Sequence, residues 1–269
     1  MKILNVIEKI KADSRFSRKN ELTIIDDLEA FRIYLKINPE NRFPLQKILI
    51  NSKIDWEKIG LSEYLRKLDD LVEPVDEKIL VRVLKVENPQ ICALIKIPSD
   101  IYNYREIIEN LTQTKVCIVL DSIQNPWNLG GILRTNSAFG VFNNILLGNP
   151  VFPYNPRVIR SSKGYIFEQN IKIVNEHQIN DLSELVEEYK PDIFFLENKP
   201  DAEEVNQINL TNRICFLVLG NEERGISENT RKIFKGYRSV RIPIRTESLN
   251  VFSAHSILLF VLSQQLRNL

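Results

Sequence analysis

Residues 116–135 read VCIVLDSIQNPWNLGGILRT. Five apolar residues, Val116 to Leu120, stop at Asp121, and a stretch carrying Pro126, Asn128, Gly130 and Gly131 then leads into a helical pattern. An apolar run that does not alternate with polar residues is buried on both faces, as a strand inside a parallel sheet is. The pattern recurs as NILL (144–147), IKIV (171–174), IFFL (193–196), ICFLVL (214–219) and SVRIPI (239–244), with helix-like segments between. That alternation predicts an α/β domain with a parallel sheet over residues 115–269.

Upstream, the strand-like runs LTII (22–25), KILI (47–50) and ICALIKI (91–97) are separated by helix candidates around 28–37, 57–68 and 76–86. They predict a smaller α/β domain over 1–97, and Pro98, Ser99 and Asp100 open a connection assigned to 98–114.

Composition narrows the class. Apolar residues make up 43% of the 269 and charged residues 26%, the balance of a soluble globular chain, which excludes collagen-like, disordered and membrane-spanning classes. Thirty-six basic side chains against thirty-five acidic leave a net charge of +1, so any polyanion site must be a local patch. Cys92, Cys117 and Cys215 are odd in number, far apart and flanked by apolar residues, which points to buried thiols rather than a disulfide framework or a zinc site. With only His177 and His255 available, neither a His-based triad nor a metal cluster is expected. The opening run is broken by Asn5, Glu8 and Lys9, too polar for a signal-peptide core, and Ile257–Leu262 is far too short to span a bilayer. A cytoplasmic protein without membrane association is expected.

In an open parallel sheet, ligands bind beyond the carboxyl ends of the strands. Three loops there draw the eye. The first holds Pro126 to Thr135; the second is Gly220-Asn221-Glu222-Glu223-Arg224-Gly225-Ile226-Ser227; the third runs from Arg245 to Asn250 ahead of a long apolar helix from Val251 to about Leu266. Taken singly, each reads as an ordinary turn and cap, with Ser227 and either Ser248 or Asn250 as N-caps. No Lys-Ser/Thr of a phosphate-binding loop and no G-x-G-x-x-G follows any strand, which weakens NTPase and dinucleotide readings.

Basic residues cluster in two places. Arg231, Lys232, Lys235, Arg238, Arg241 and Arg245 lie in a stretch with no acid, and Arg157, Arg160 and Lys163 recur every three residues. Such one-signed stretches suggest phosphate contacts, although a solvated helix face would read the same way.

In this order and at these spacings the three loops resemble the motifs of the SpoU (TrmH-like) branch of the SPOUT RNA methyltransferases. Pro126, Asn128, Gly130, Ile132, Arg134, Thr135, Phe139 and Gly140 match the first motif. Gly220, Asn221, Glu222, Gly225 and Ser227 match the second, and Ile242, Pro243, Ser248, Leu249, Asn250 and Val251 the third. Arg160, Ser162 and Gly164 match a further family segment, and residues 1–97 resemble more faintly its ribosomal-protein-like, RNA-binding N-terminal domain.

The resemblance implies methyl transfer from S-adenosyl-L-methionine to a ribose 2′-hydroxyl of structured RNA, ribosomal RNA before transfer RNA, without a metal. It implies catalytic roles for Arg134, Asn128, Glu222, Ser248 and Asn250, with Arg134 pairing to phosphate and stabilising the forming alkoxide. It assigns cofactor contacts to Leu219, Gly220, Asn221, Gly225, Ile242, Ile244, Ser248 and Leu249. Arg157, Arg160, Lys163, Arg238 and Arg241 become the expected RNA contacts. A trefoil knot in the C-terminal domain and a homodimer, the apolar last helix contributing, come with the family. Three departures bear on the pocket: the third loop is about two residues shorter than usual, Phe252 stands where a small residue is common, and Glu223 follows Glu222 where glycine is frequent. The competing reading is a non-catalytic RNA-binding or assembly protein on the same fold with weakened cofactor binding.

Overall fold

The computed structural model describes residues 2–38, 42–103, 107, 116–210 and 214–266. The chain forms two compact units, one made of residues 1–99 together with 154–167, the other of 100–153 and 168–269. The expected division near residue 97 falls close to the first crossing at Ser99, whereas residues 154–167, read from sequence with the C-terminal half, group with the first unit. Most of the expected connection 98–114 lies outside the described residues.

The first unit opens with two helices that the sequence reading did not anticipate, α1 (Lys2–Ala12) and α2 (Ser14–Asn20). It continues through β1 (Leu22–Ile25), α3 (Leu28–Ile37), β2 (Leu45–Asn51), α4 (Ser62–Lys67), β3 (Val72–Val75), α5 (Glu77–Leu84) and β4 (Ile91–Lys96). The sheet order is β1-β4-β2-β3, with β4 antiparallel to both neighbours and β3 parallel to β2. Ile7, Ile10, Ile24, Leu49, Leu80, Val83 and Leu94 fill the core. Segment 154–167 is built into this unit: the rings of Tyr154 and Phe167 lie 5.5 and 5.1 Å from that of Phe43, and Thr23 Oγ1 donates to the Tyr154 carbonyl at 2.6 Å. Asp26, its side chain 2% exposed, is neutralised from both sides by Lys11 at 2.7 Å and Arg160 at 2.8 Å. A carboxylate taken out of water needs such partners, so Arg160 is committed to the interior of this unit.

The second unit carries a seven-stranded, wholly parallel sheet in the order β7-β6-β5-β10-β8-β11-β9. Its strands are β5 (Val116–Asp121), β6 (Asn143–Leu147), β7 (Asn170–Ile173), β8 (Asp192–Leu196), β9 (Glu203–Glu204), β10 (Cys215–Leu219) and β11 (Arg238–Arg241). β5, β6 and β10 are buried at every residue, which explains the apolar runs Val116–Leu120, Ile145–Leu147 and Cys215–Leu219 within them. The strand expected through Ile244 ends at Arg241, ahead of Pro243, which has no N–H to offer a ladder. Helices α6 (Pro126–Ala138), α7 (Ile179–Tyr189), α8 (Glu228–Ile233) and α9 (Val251–Leu266) complete the unit's labelled elements. Asn125 caps α6 by accepting from the Trp127 N–H at 2.9 Å, with Pro126 in the first turn. Burial pushes the thiols of Cys92, Cys117 and Cys215 up, and all three are free. Among the described residues no helix is long and apolar enough to cross a membrane.

α6 and α9 run side by side in the same direction, meeting at Thr135 with Ser256 (3.3 Å) and at Asn136 with His255 (2.6 Å). The second contact starts a buried polar chain. Asn136 Nδ2 donates to Asn144 Oδ1 (2.8 Å), Asn144 Nδ2 to Gln169 Oε1 (2.8 Å), and Gln169 Nε2 to Ser137 Oγ (2.9 Å). Because the Asn136 amide nitrogen is already used, its Oδ1 accepts, and His255 must carry its proton on Nε2. Burial holds the His255 pKa down at about 3. Unfolded, the imidazole takes a proton near pH 6.5; folded, it resists until about 3, so the unfolded state binds more protons between these values. Stability is therefore full above pH 6.5 and declines as pH falls through the window. His255→Gln is expected to remove up to about 1.4 kcal/mol per pH unit from the slope of unfolding free energy across that window, measured by urea titration at several pH values. An unchanged slope would contradict the neutral, buried state.

Candidate functional site

The site grows from the carboxyl ends of β5, β8, β10 and β11. Asp121, buried at the end of β5, accepts from the Ser227 N–H at 2.7 Å through Oδ2 and from Ser122 Oγ at 3.0 Å through Oδ1. Asn221 Nδ2 donates to the Ser122 carbonyl at 2.8 Å. The loop after β10 is thus pinned to β5 at both of its ends.

Within that loop, Asn221 and Gly225 exchange backbone hydrogen bonds of 3.0 and 2.9 Å, and Asn221 Oδ1 accepts from the N–H groups of Glu223 and Arg224 at 3.0 and 3.1 Å. The turn folds so tightly that a Cβ on Gly220 would stand 2.3 Å from the Gly225 carbonyl carbon and 2.5 Å from the Ile226 nitrogen. Both are backbone atoms, so no side-chain motion makes room and glycine is required.

The third loop ends in Asn250, which caps α9 by accepting from the Phe252 N–H at 3.0 Å. Its Nδ2 donates to Asn128 Oδ1 at 2.9 Å, and Asn128 Nδ2 donates in turn to Glu222 Oε1 at 2.6 Å. Asn128, which sits inside α6 rather than opening it, is therefore the joint between the three loops. The short third loop is braced by Asn198, whose Nδ2 donates to the Glu247 carbonyl at 3.0 Å.

These loops enclose a cavity of about 580 Å³, within the range that holds a cofactor-sized ligand. All eight residues expected to hold a cofactor line it: Leu219, Gly220, Asn221, Gly225, Ile242, Ile244, Ser248 and Leu249. Of the expected catalytic residues, Glu222, Ser248 and Asn250 also line it, and Asn128 is bonded to two of them. Arg134 does not: it is exposed, one stripe of α6 away, in line with Trp127 and Gly131.

The expected RNA contacts separate in the same way. Arg157 is exposed, Lys163 lies 4.0 Å from Asp27, and Arg160 is engaged with buried Asp26. Arg238 faces Glu203 at 3.6 Å and covers the Phe194 ring, while Arg241 meets Glu204 at 3.2 Å and lines the cavity. Their one-signed stretch is answered by acids on the neighbouring strand β9.

Sequence reasoning overlooked Glu197, Asn198 and Lys199 and read Arg231 only as part of a basic stretch, whereas the four form another wall of the cavity. The signal was present, since 197–199 directly follow the apolar run ending at Leu196, at a strand's carboxyl end. Burial alone would raise the Glu197 carboxyl, but hydrogen bonds from Arg231, Ser239 and Lys199 outweigh it and hold the group below the ordinary carboxylate range. Arg231 is clamped between that carboxylate, at 2.6 Å, and the rings of Phe195 and Tyr237, 5.4 Å from each. Of the two carboxylates in the wall, Glu197 is committed to cations, whereas Glu222 meets amide donors.

Comparison with known proteins bears on this geometry. The profile of the SpoU rRNA Methylase family matches residues 115–260. An uncharacterized tRNA/rRNA methyltransferase of Borreliella burgdorferi is 26% identical over 240 residues, covering 87% of this chain and 97% of that protein. Among solved structures, the AdoMet-bound rRNA methyltransferase of Sinorhizobium meliloti superposes with a TM-score of 0.80 at 21% identity, covering 98% of this chain and 95% of that one. The SpoU methyltransferase AviRb of Streptomyces viridochromogenes in complex with AdoMet gives a TM-score of 0.78 at 19% identity, covering 98% of each chain. At these identities the superpositions speak for the fold, an α/β architecture with a parallel sheet.

Proposed function

The chain belongs to the SpoU rRNA methylase family, and from that premise we propose that it transfers a methyl group from S-adenosyl-L-methionine to a ribose 2′-hydroxyl of structured RNA, ribosomal RNA being the first candidate. The observation that carries this reading is the hydrogen-bonded chain Asn250–Asn128–Glu222 at the edge of a cavity built by the three motif loops.

The lining suits the cofactor. Leu196, Leu219, Ile226, Ile242, Ile244 and Leu249 offer apolar surface for an adenine ring, and Glu222 adds a carboxylate to the wall that would favour a cationic ligand. When bound, S-adenosyl-L-methionine supplies a methyl group on sulfur with a neutral leaving group. The chain's own residues orient and stabilise. Asn128 is locked by two opposed hydrogen bonds, so it presents a fixed edge toward the ribose without reorganising during reaction. Glu222, which meets amide donors and no cation among the described residues, is the wall group suited to hold the hydroxyl proton.

Arg134 we assign to the RNA phosphate beside the target and to the oxygen as it gains charge, since a guanidinium keeps its proton. Exposed on α6, it shares its side of the molecule with Trp127, and Phe252, Ile257 and Phe260 leave α9 with further exposed apolar surface. A second copy of the chain covering these residues completes the reading: a homodimer in which Arg134 reaches a cavity it does not line in its own protomer. A trefoil knot in the second unit belongs to the same proposal. So does RNA binding by the first unit.

The test has two steps. Calorimetric titration with S-adenosyl-L-methionine comes first; absence of binding at millimolar cofactor would favour the non-catalytic RNA-binding reading. Tritiated methyl transfer to RNA from cells lacking the protein follows, with the product mapped by its resistance to alkaline hydrolysis, which only a blocked 2′-hydroxyl confers. Label on a base instead would overturn the ribose assignment. Arg134→Ala is expected to lower transfer about a hundredfold with cofactor affinity unchanged. Turnover equal to the parent would remove Arg134 from the mechanism.

A further inference from the structure

Phe252, in the first turn of α9, meets Gly131 in the middle of α6. A Cβ built on Gly131 would lie 2.9 Å from both Cγ and Cδ2 of Phe252 and 3.2 Å from Cδ1. The root of the ring, not its far edge, occupies the space that any other residue at 131 would fill. A flexible tip could swing aside, but the root moves only with the side chain's first torsion or with the backbone.

The backbone of Phe252 is tied in two directions. Its N–H donates to Asn250 Oδ1 at 3.0 Å, and its carbonyl accepts from Ser256 Oγ at 2.9 Å. The same Asn250 side chain donates through Nδ2 to Asn128 at 2.9 Å, and Asn128 sits one helical turn before Gly131. A displacement at the ring root therefore passes through one residue to the pair of asparagines that orders the site. Ring and notch, asparagine and asparagine form a closed circuit between the first turn of α9 and the N-terminal half of α6.

We propose that Gly131 and Phe252 are a matched pair of positioning residues: the ring seated in the glycine notch sets the spacing of α6 and α9 and so holds Asn250 against Asn128. Neither is a catalytic residue. The bulk at 252, a departure where small residues are common, is complemented by the missing side chain at 131. The functional part of this proposal rests on the methyl-transfer reading above.

The test is a double-variant cycle on the full-length protein with Gly131→Ala, Phe252→Ala and both together. For each protein, kcat and KM are measured with total RNA from cells lacking the protein, Kd for S-adenosyl-L-methionine by calorimetry, and Tm by thermal unfolding. Gly131→Ala is expected to lower kcat about tenfold with cofactor Kd within about twofold, because a misplacement of a fraction of an ångström reaches the reacting groups but not the cofactor wall. Phe252→Ala should lower kcat by a smaller factor, and the double variant should recover to within about threefold of the parent, a coupling that independent sites do not show. Losses that multiply in the double variant, or an unchanged kcat in Gly131→Ala, would overturn the pairing. A general loss of folding would show as parallel losses in Tm and cofactor binding, which also counts against it. A parent protein that methylates no RNA would overturn the functional reading itself, and with it the positioning role; an active parent with independent variants overturns only the latter.

Discussion

Asn128→Asp is expected to lower methyl transfer about a thousandfold while cofactor affinity stays within about twofold, since the exchange removes a preorganised donor and also turns its partner contact repulsive. In the parent, Asn128 Nδ2 donates to Glu222 Oε1 at 2.6 Å. Aspartate places an oxygen there. Two carboxylates at that separation cannot both be ionised, so they separate, swing Glu222 away, or share a proton. The Asn250 contact weakens less, because an aspartate oxygen still accepts from its Nδ2. Shape and volume barely change, so folding and the cavity wall formed by Ile242, Ile244 and Leu249 should persist. Sharing a proton restores a donor toward Glu222, so the variant should recover part of its activity as pH falls, unlike a simple truncation. Single-turnover transfer measured across pH, with calorimetry for the cofactor, reads both effects. Turnover within tenfold of the parent at neutral pH would mean that Asn128 is only a strut.

Gly220→Ala carries the other large effect, on binding. The added methyl would stand 2.3 Å from one backbone atom and 2.5 Å from another, both in the returning limb of the same loop. That limb cannot yield alone, because Ser227, just beyond it, donates its N–H to buried Asp121, and Asn221 is fastened to Ser122. The Asn221–Gly225 bridge must open, and with it the wall formed by residues 219–226. Cofactor Kd is expected to rise at least a hundredfold, the effect of losing several oriented contacts at once. Calorimetry checks this, with circular dichroism confirming that the parallel sheet survives. A variant that binds as the parent does would show that the cofactor does not use this loop.

How much of this was visible in the residues depends on the kind of interaction. The central strands were legible because β5, β6 and β10 are buried on both faces, which leaves an apolar run of three residues or more in each. The cavity was legible because tight turns and caps restrict residue types: Gly220 faces backbone, and Asn250 must both cap and reach across. β3 escaped because Val-Glu-Pro-Val carries a proline and half-exposed residues, tolerable on the sheet edge it occupies. α1 has the spacing of an amphipathic helix in Ile3, Ile7 and Ile10, but Asn5, Glu8 and Lys9 interrupt the apolar run and hide it from a reading by runs.

Partnerships at long range were not legible. A run of arginines with no nearby acid looks like a phosphate stripe, yet Arg160 answers Asp26, Arg231 answers Glu197 and Arg241 answers Glu204. Each acid lies on another element, and the sheet order that unites them is not written locally. The same applies to His255, whose partner Asn136 leads on to Asn144 and Gln169, polar residues that in isolation give no sign of a buried chain. Arg134 is the reverse case, a residue the motif singles out and the structure leaves exposed.

The loan of residues 154–167 to the first unit has an evolutionary edge. A protein whose halves meet at one junction can be shuffled by a single recombination event, each half carrying its own interior. Here such an exchange near residue 99 would strand the acid at 26 without its guanidinium and strip Phe43 of two ring neighbours. Inheritance of the two halves is thereby linked: the first unit must change by substitution in place rather than by being traded for another.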